Sequence, residues 1–303
     1  MKRRALLQVG AGLAAAAFTA PLFGNSGRII TNTPGGPVKI SLAQWSLHRQ
    51  LRSGALKVLD FPIKARKAFA IDAVEYVNQF FADKARDQNF LSALKSRAID
   101  HGVKSLLIMV DAEGDLGNPN ASERQQAVEN HFQWVEAAKY LGCHSIRVNA
   151  GGQGSSREVS SACRDGLRAL SEFALDFDIN IVVENHGGYS SSGLWLSQLL
   201  QSVDMPNCGS LPDFGNFGDY DRYLGVEQLM PFACGISAKS FSFDKQGNET
   251  NTDFARMLRI IQKAGYKGHI GIEYEGAGDE DWGIKATKEL LLRLSRQGEL
   301  YGE

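Results

Sequence analysis

Asn180-Ile-Val-Val-Glu-Asn-His-Gly-Gly188 is an apolar, β-branched run that ends in a carboxylate, an imidazole and two glycines. Buried parallel strands have this composition, with polar groups where the chain leaves the core. Glu184 and His186 are two residues apart, so on a strand both point to the same side. Two later runs end the same way. Residues 208–216 carry Asp213, and residues 268–276 carry Glu273 and Glu275. If the strands close into a barrel, acids at the C-terminal ends of strands five, six and eight converge on one point.

Further strand patterns recur at 38–46, 71–77, 103–110, 144–149 and 234–241. Helix patterns separate them at 61–69, 84–101, 121–141, 157–177, 192–203, 220–230, 251–264 and 282–297. Pro62 suits a first helical turn, while Gly102 and Gly142 read as stop signals. Eight βα units in about 265 residues predict an α/β fold, a (β/α)8 TIM barrel over 38–303. An open doubly wound sheet fits less well. Trp45-Ser46-Leu47-His48 follows the first strand, where that fold carries a Gly-rich phosphate loop.

The N-terminus has a different character. Lys2-Arg3-Arg4-Ala5-Leu6-Leu7 leads into an Ala-rich apolar run that ends near Phe23. Residues 1–25 read as a twin-arginine-like signal peptide, and 26–37 as a linker rich in Gly, Asn, Thr and Pro. The expected location is periplasmic or otherwise exported, with no stable membrane span after processing. Removing the leader deletes three positive charges and moves the formal net charge from −1 to −4. A mildly acidic domain suits neither nucleic acid nor an anionic membrane as a partner. Cys143, Cys163, Cys208 and Cys234 form no CxxC pair, so they predict free thiols rather than a cysteine zinc site.

Glu184, Asp213 and Glu273 together suit a hard or borderline divalent cation such as Mn²⁺, Co²⁺, Mg²⁺ or Zn²⁺. Such an ion polarises a carbonyl and eases removal of a proton from the neighbouring carbon. The competing expectation, for any one of these acids, is a salt bridge to a buried Arg or Lys. His186 and Lys239 are candidates for acid/base and enolate-stabilising roles, beside Glu184 and Glu273. Glu75, Arg147, His48, Gln44 and Asn216 lie at other strand ends and are candidate ligands for sugar hydroxyls. Trp45 and Trp282 can stack on a sugar or pack as ordinary apolar surface.

The strands bearing Glu184, Asp213 and Glu273 resemble the xylose isomerase-like TIM-barrel superfamily. That group includes sugar phosphate isomerases and epimerases, ketose 3-epimerases, inosose dehydratase and endonuclease IV. The resemblance implies a metal held by these three acids, with the first and last also moving the proton. It allows a homodimer. Two departures stand out. Ser237 and Asn216 occupy places where the superfamily usually has histidines, while Lys239 of its His-x-Lys-Asp pattern is kept. Endonuclease chemistry is disfavoured, because it needs a His-rich three-metal cluster and the whole chain has 6 His. The run Ser237-Ala-Lys-Ser-Phe-Ser-Phe-Asp244 further resembles an exported subgroup, some of whose members act on 3-keto sugars. Three expectations follow: a metal-dependent sugar isomerase or epimerase, a 3-keto-glycoside lyase or hydratase, and a catalytically silent sugar-binding barrel.

Overall fold

The computed structural model describes residues 38–300; the expected leader and linker lie outside the described residues. Eight strands alternate with helices along the chain. They are β1 (Lys39–Ala43), β2 (Ala73–Val77), β3 (Lys104–Met109), β4 (Ser145–Asn149), β5 (Asn180–Glu184), β6 (Cys208–Leu211), β7 (Ile236–Ser240) and β8 (His269–Tyr274). A short helix α1 (His48–Ser53) sits in the first connection. The longer helices are α2 (Phe61–Phe69), α3 (Gln88–Asp100), α4 (Ala121–Leu141), α5 (Ser156–Leu175), α6 (Gly193–Val203), α7 (Arg222–Leu229), α8 (Phe254–Lys263) and α9 (Glu280–Leu300). No helix among the described residues is long and apolar enough to cross a membrane.

Local chemistry sets the helix boundaries. The side chains of Asp87, Asn120, Ser192, Asp221 and Asp253 accept hydrogen bonds from first-turn amides of their helices. Ser155 and Glu158 form a reciprocal capping box at the start of α5. Gly142 ends α4 at φ 83°, a conformation that costs an L side chain energy but costs glycine none.

All neighbouring strands pair parallel, in the order β6-β5-β4-β3-β2-β1-β8-β7. Pro212 ends β6, because it has no N–H to donate to a ladder. Pairing then resumes through the bridges Ser210↔Ala233 and Asp213↔Ser237, which join β6 to β7 and close the sheet. Asp213 therefore lies two residues past β6, held by that bridge, and not on the strand proper.

Strand parity sorts the side chains into two layers. Leu42, Val74, Ile108, Val183, Ile236 and Ile272 point outward and are buried beneath the helices. Each such burial stabilises the fold by roughly 1.5–3 kcal/mol. Ala43, Val77, Leu107, Met109, Val182 and Leu211 point inward and form a smaller apolar plug inside the barrel. Above and between them the inward positions are polar: Ser41, Glu75, Arg147, Glu184, Ser237, Lys239 and Glu273, all buried. Continuous apolar packing outside leaves the polar chemistry to the barrel interior and its C-terminal mouth.

The four cysteines are free, with Cys143 and Cys163 buried and the other two partly so. Burial pushes the Cys208 thiol up to about 12, so it is an inert thiol at neutral pH.

Candidate metal and proton-transfer site

Three acids meet at the mouth. Glu184 ends β5, Asp213 follows β6, and Glu273 is the fifth residue of β8. Each offers a carboxylate oxygen, and these atoms all lie within 4.8 Å of one another. All three residues are buried.

Protein donors fix one side of each carboxylate. Asp213 Oδ1 accepts from the backbone N–H groups of Gly215 (2.7 Å) and Asn216 (2.8 Å). Its own backbone is gripped by the Asn185 amide, which accepts from Asp213 N at 2.8 Å and donates to Asp213 O at 3.1 Å. Glu184 Oε1 accepts from Asn216 Nδ2 at 3.0 Å. Glu273 Oε2 accepts from the Ser237 hydroxyl at 2.7 Å. The opposite oxygens are left over: Asp213 Oδ2 and Glu184 Oε2 are buried without a hydrogen-bond donor. Arg147 Nε lies 2.8 Å from Glu184 Oε2, but out of line, so the contact is ionic and leaves a lone pair free. Buried, donor-free oxygens are what a cation site requires, since leaving them unpaired is costly. The residues present therefore fit a divalent ion.

Two cations flank the acids. Lys239 Nζ is 3.0 Å from Glu275 Oε1, 3.3 Å from Glu273 Oε1 and 3.8 Å from Asp213 Oδ2. Arg147 also donates to Asp111 Oδ1 at 2.6 Å, and Asn149 donates to the same oxygen at 2.8 Å. Five carboxylates thus share two cations. Burial raises the pKa of Glu184 to about 7 against the pull of Arg147, and the Glu273 charge adds to the rise. Burial likewise raises Asp213 to about 7 against the pull of Lys239. Glu273 goes the other way. Burial opposes ionisation there, but Lys239, the Ser237 hydroxyl and Arg147 outweigh it and hold the carboxyl below its usual range. Burial also works against the Lys239 charge, yet Asp213 and Glu273 keep the ammonium firmly protonated. The Arg147 guanidinium overrides burial at Asp111 and lowers that carboxyl to about 2.

The other sequence candidates fall into distinct places. His186 is exposed at the rim, with its backbone N–H bonded to Ser190 Oγ at 3.0 Å. Partial desolvation, then the charges of Arg147 and Lys239, lower its pKa, so the ring is neutral at pH 7. Asn216 and Arg147 both grip Glu184, which makes them supports of a carboxylate in this structure. Gln44 accepts from Val77 N at 2.8 Å and has its Nε2 buried without a partner. His48 begins α1 rather than ending a strand. Its ring stacks on Trp45 (centroids 5.2 Å apart), and its Nδ1 faces Trp45 O at 2.8 Å. Trp45 packs against the inner apolar plug, whereas Trp282 is exposed and lies edge-on to Phe243.

Glu75 lies deeper in the barrel. Ser41 Oγ donates to its Oε1 at 2.6 Å, and Oε2 has no partner. A Cβ at position 271 would stand 2.6 Å from the Glu75 carboxylate, so Gly271 leaves room for the carboxylate where it lies. Burial raises Glu75 to about 7, helped by the charges of Glu273 and Glu184 and opposed by Ser41. A carboxyl raised above its unfolded value reduces stability as pH rises from the unfolded pKa to the folded one. Glu75→Gln is therefore expected to stabilise the protein by about 2–3 kcal/mol at pH 8 and by almost nothing near pH 4.5. Urea unfolding of the two proteins at both pH values checks this; an equal difference at both would refute the assignment.

Asp111, Asn185, Ser237 and Glu275 were not among the sequence candidates for the site. Strand parity places Ser237 and Glu275 on the inner face, and pairing across strands makes them partners of Glu273 and Lys239.

Comparison with known proteins agrees with the fold. The chain is similar to the "Putative hydroxypyruvate isomerase" of Homo sapiens, at 24% identity over 214 residues, covering 63% of this chain and 77% of that protein. The structure resembles the IOLI protein with a bound zinc atom (TM-score 0.69, 13% identity, 86% of this chain and 99% of that one). It also resembles 3-keto-D-glucoside 4-epimerase from E. coli (TM-score 0.66, 14% identity, 84% and 98% covered). The xylose isomerase-like TIM barrel family matches residues 63–294, and the chain belongs to that family.

Proposed function

We propose that this protein is a metal-dependent sugar isomerase or epimerase that removes a proton from the carbon next to a substrate carbonyl. The observation that carries the proposal is the trio Glu184, Asp213 and Glu273, buried and mutually within 4.8 Å, with donor-free oxygens on Glu184 and Asp213. These three residues would hold the ion. A divalent cation bound there supplies Lewis-acid polarisation of the carbonyl and lowers the cost of forming the enolate.

The chain's own groups do the rest. Glu273, oriented by the Ser237 hydroxyl on its Oε2, takes the proton. Glu184, at the end of β5, stands on another wall of the barrel from Glu273 and is suited to returning one. Lys239, whose Nζ donates to Glu275 Oε1 at the edge of the mouth, is placed to donate a hydrogen bond to the developing oxyanion. His186, neutral at the rim, is placed to exchange protons with a substrate hydroxyl. A second reading, β-elimination from a 3-keto glycoside, begins with the same proton removal and then expels the group at the β-carbon. The likeness to a protein described as a 3-keto-D-glucoside epimerase supports including such substrates.

The test supplies Mn²⁺, Co²⁺, Mg²⁺ or Zn²⁺ in turn and offers hydroxypyruvate, free ketoses and 3-keto glucosides, with products followed by NMR. Isomerised or epimerised sugar, abolished by a chelator and restored by one of the ions, is the expected result. Release of the aglycone would establish elimination instead. Tight sugar binding without turnover under any condition would leave a binding barrel and end the enzyme reading. We further propose that Arg3 and Arg4 direct twin-arginine export; a chain carrying Lys at both positions should then stay in the cytoplasm of a bacterial host.

A further inference from the structure

We propose that Lys239 is a built-in occupant of the acid cluster that an incoming divalent cation must displace, with Glu275 holding the displaced ammonium. This rests on the reading of the cluster as a metal site, and the experiment below separates failure of the two.

Protein donors leave only some of the cluster's oxygens free. Glu273 Oε2 is taken by Ser237, and Asp213 Oδ1 by two backbone amides. The oxygens free to ligate are then Glu273 Oε1 and Asp213 Oδ2, together with Glu184 Oε2. The first two are the ones that face Lys239 Nζ, at 3.3 and 3.8 Å. The ammonium is thus ion-paired with the same oxygens that would ligate a metal, and the two charges repel when both are desolvated.

The third contact points the other way. Glu275 lies just past the end of β8, outside the trio, and its side chain keeps 27% of its exposure against 3% for that of Lys239. It makes the shortest of the three contacts with Lys239, at 3.0 Å. A lysine that releases Asp213 and Glu273 therefore keeps a charged partner at the edge of the mouth. The lysine stem runs against the backbone of Gly215, where a Cβ would stand 2.8 Å from Lys239 Cδ and 3.1 Å from Cγ. Two consequences follow. The empty cluster keeps a counter-charge, so the barrel does not depend on metal to stay folded. Metal affinity is also governed by two residues that do not ligate the ion.

Chelator-treated wild-type, Lys239→Met, Glu275→Gln and double-variant proteins are titrated with Mn²⁺ and with Zn²⁺ by calorimetry. Lys239→Met is expected to bind at least tenfold more tightly than wild type. Glu275→Gln is expected to bind several-fold more weakly, because Lys239 then has only the cluster to lean on. In the double variant that weakening disappears and the affinity matches Lys239→Met. A purely long-range effect of the Glu275 charge would weaken binding equally in both backgrounds, and that outcome overturns the proposal. So does a Lys239→Met affinity equal to or below that of wild type. No binding by any of the four proteins would overturn the metal site itself. If Lys239→Met does not fold, a crystal structure of wild type with Mn²⁺ decides. Nζ should have left Asp213 and Glu273 while keeping Glu275; an unmoved Nζ beside a bound ion refutes displacement.

Discussion

Glu273→Gln is expected to lower turnover by at least a thousandfold while leaving the fold intact. Gln keeps the volume of Glu and can still accept from the Ser237 hydroxyl, so the packing around position 273 survives. It lacks the charge that makes Glu273 a base. Removing a positioned general base costs on the order of 10²–10⁴ in rate, and losing a charged ligand to the ion adds to that. Glu184→Gln should behave alike. Asn216 Nδ2 keeps an acceptor there, while Arg147 loses the anion it faces. Steady-state kinetics beside circular dichroism and thermal unfolding check both variants. A folded Glu273→Gln protein that retains a tenth of wild-type turnover would remove Glu273 from the chemistry.

Arg147→Leu is expected to produce the largest loss of stability of any single change at the site. The guanidinium is buried and bridges Asp111 and Glu184, at 2.6 and 2.8 Å. Removing it strands one buried and one largely buried carboxylate. Breaking a buried ion pair from one side costs about 3–5 kcal/mol. In a domain of this size that is a fall in melting temperature on the order of 10 °C. The pH dependence has a definite sign. Asp111 is held down at about 2 in the folded wild type, so its contribution is present above the unfolded value and fades as pH falls toward 2. The deficit of Arg147→Leu should therefore be greatest at neutral and alkaline pH and shrink in acid. Urea unfolding from pH 2 to pH 8 measures it. A deficit below about 1 kcal/mol throughout would mean that the pair contributes little.

Much of this architecture is legible in the sequence because its causes are local. The outward residues of β5, Ile181 and Val183, alternate with the inward Val182 and Glu184, and that period reads directly from the chain. α2 and α4 fall where expected, over Phe61–Phe69 and Ala121–Leu141, because Pro62 and Gly142 mark a start and a stop. α3 begins later than expected. Two turns of 3-10 helix precede it, and Asp87 supplies its cap at Gln88. β1 is shorter than its apolar pattern. Gln44–Leu47 winds into a 3-10 helix that carries His48 onto Trp45 and away from a strand-end position.

The convergence of Glu184, Asp213 and Glu273 was also readable, since parity and strand order are enough to predict it. What the sequence does not carry is which charge neutralises which. Lys239 and Glu273 are 34 positions apart, and they meet because β7 and β8 pair with those two residues in register. Arg147 lies two residues above the β4 register partner of Asn180 and one strand over from Glu184, yet its second partner, Asp111, comes from the loop after β3. Such pairings depend on barrel stagger, which no local pattern encodes. The salt bridge to Arg or Lys expected for any one of these acids is thus present at Glu184 and Glu273, beside the donor-free oxygens that suit a cation.

The most direct test of the account is the metal content of purified protein. Elemental mass spectrometry should find close to one divalent ion per wild-type chain, either as isolated or after loading and desalting. A folded Glu184→Gln/Asp213→Asn protein should hold less than a tenth of that. A wild-type chain that retains no ion after exposure to excess Mn²⁺, Co²⁺, Mg²⁺ or Zn²⁺ would contradict the account. The site would then be an ion-paired cluster of acids, Arg147 and Lys239 working without metal.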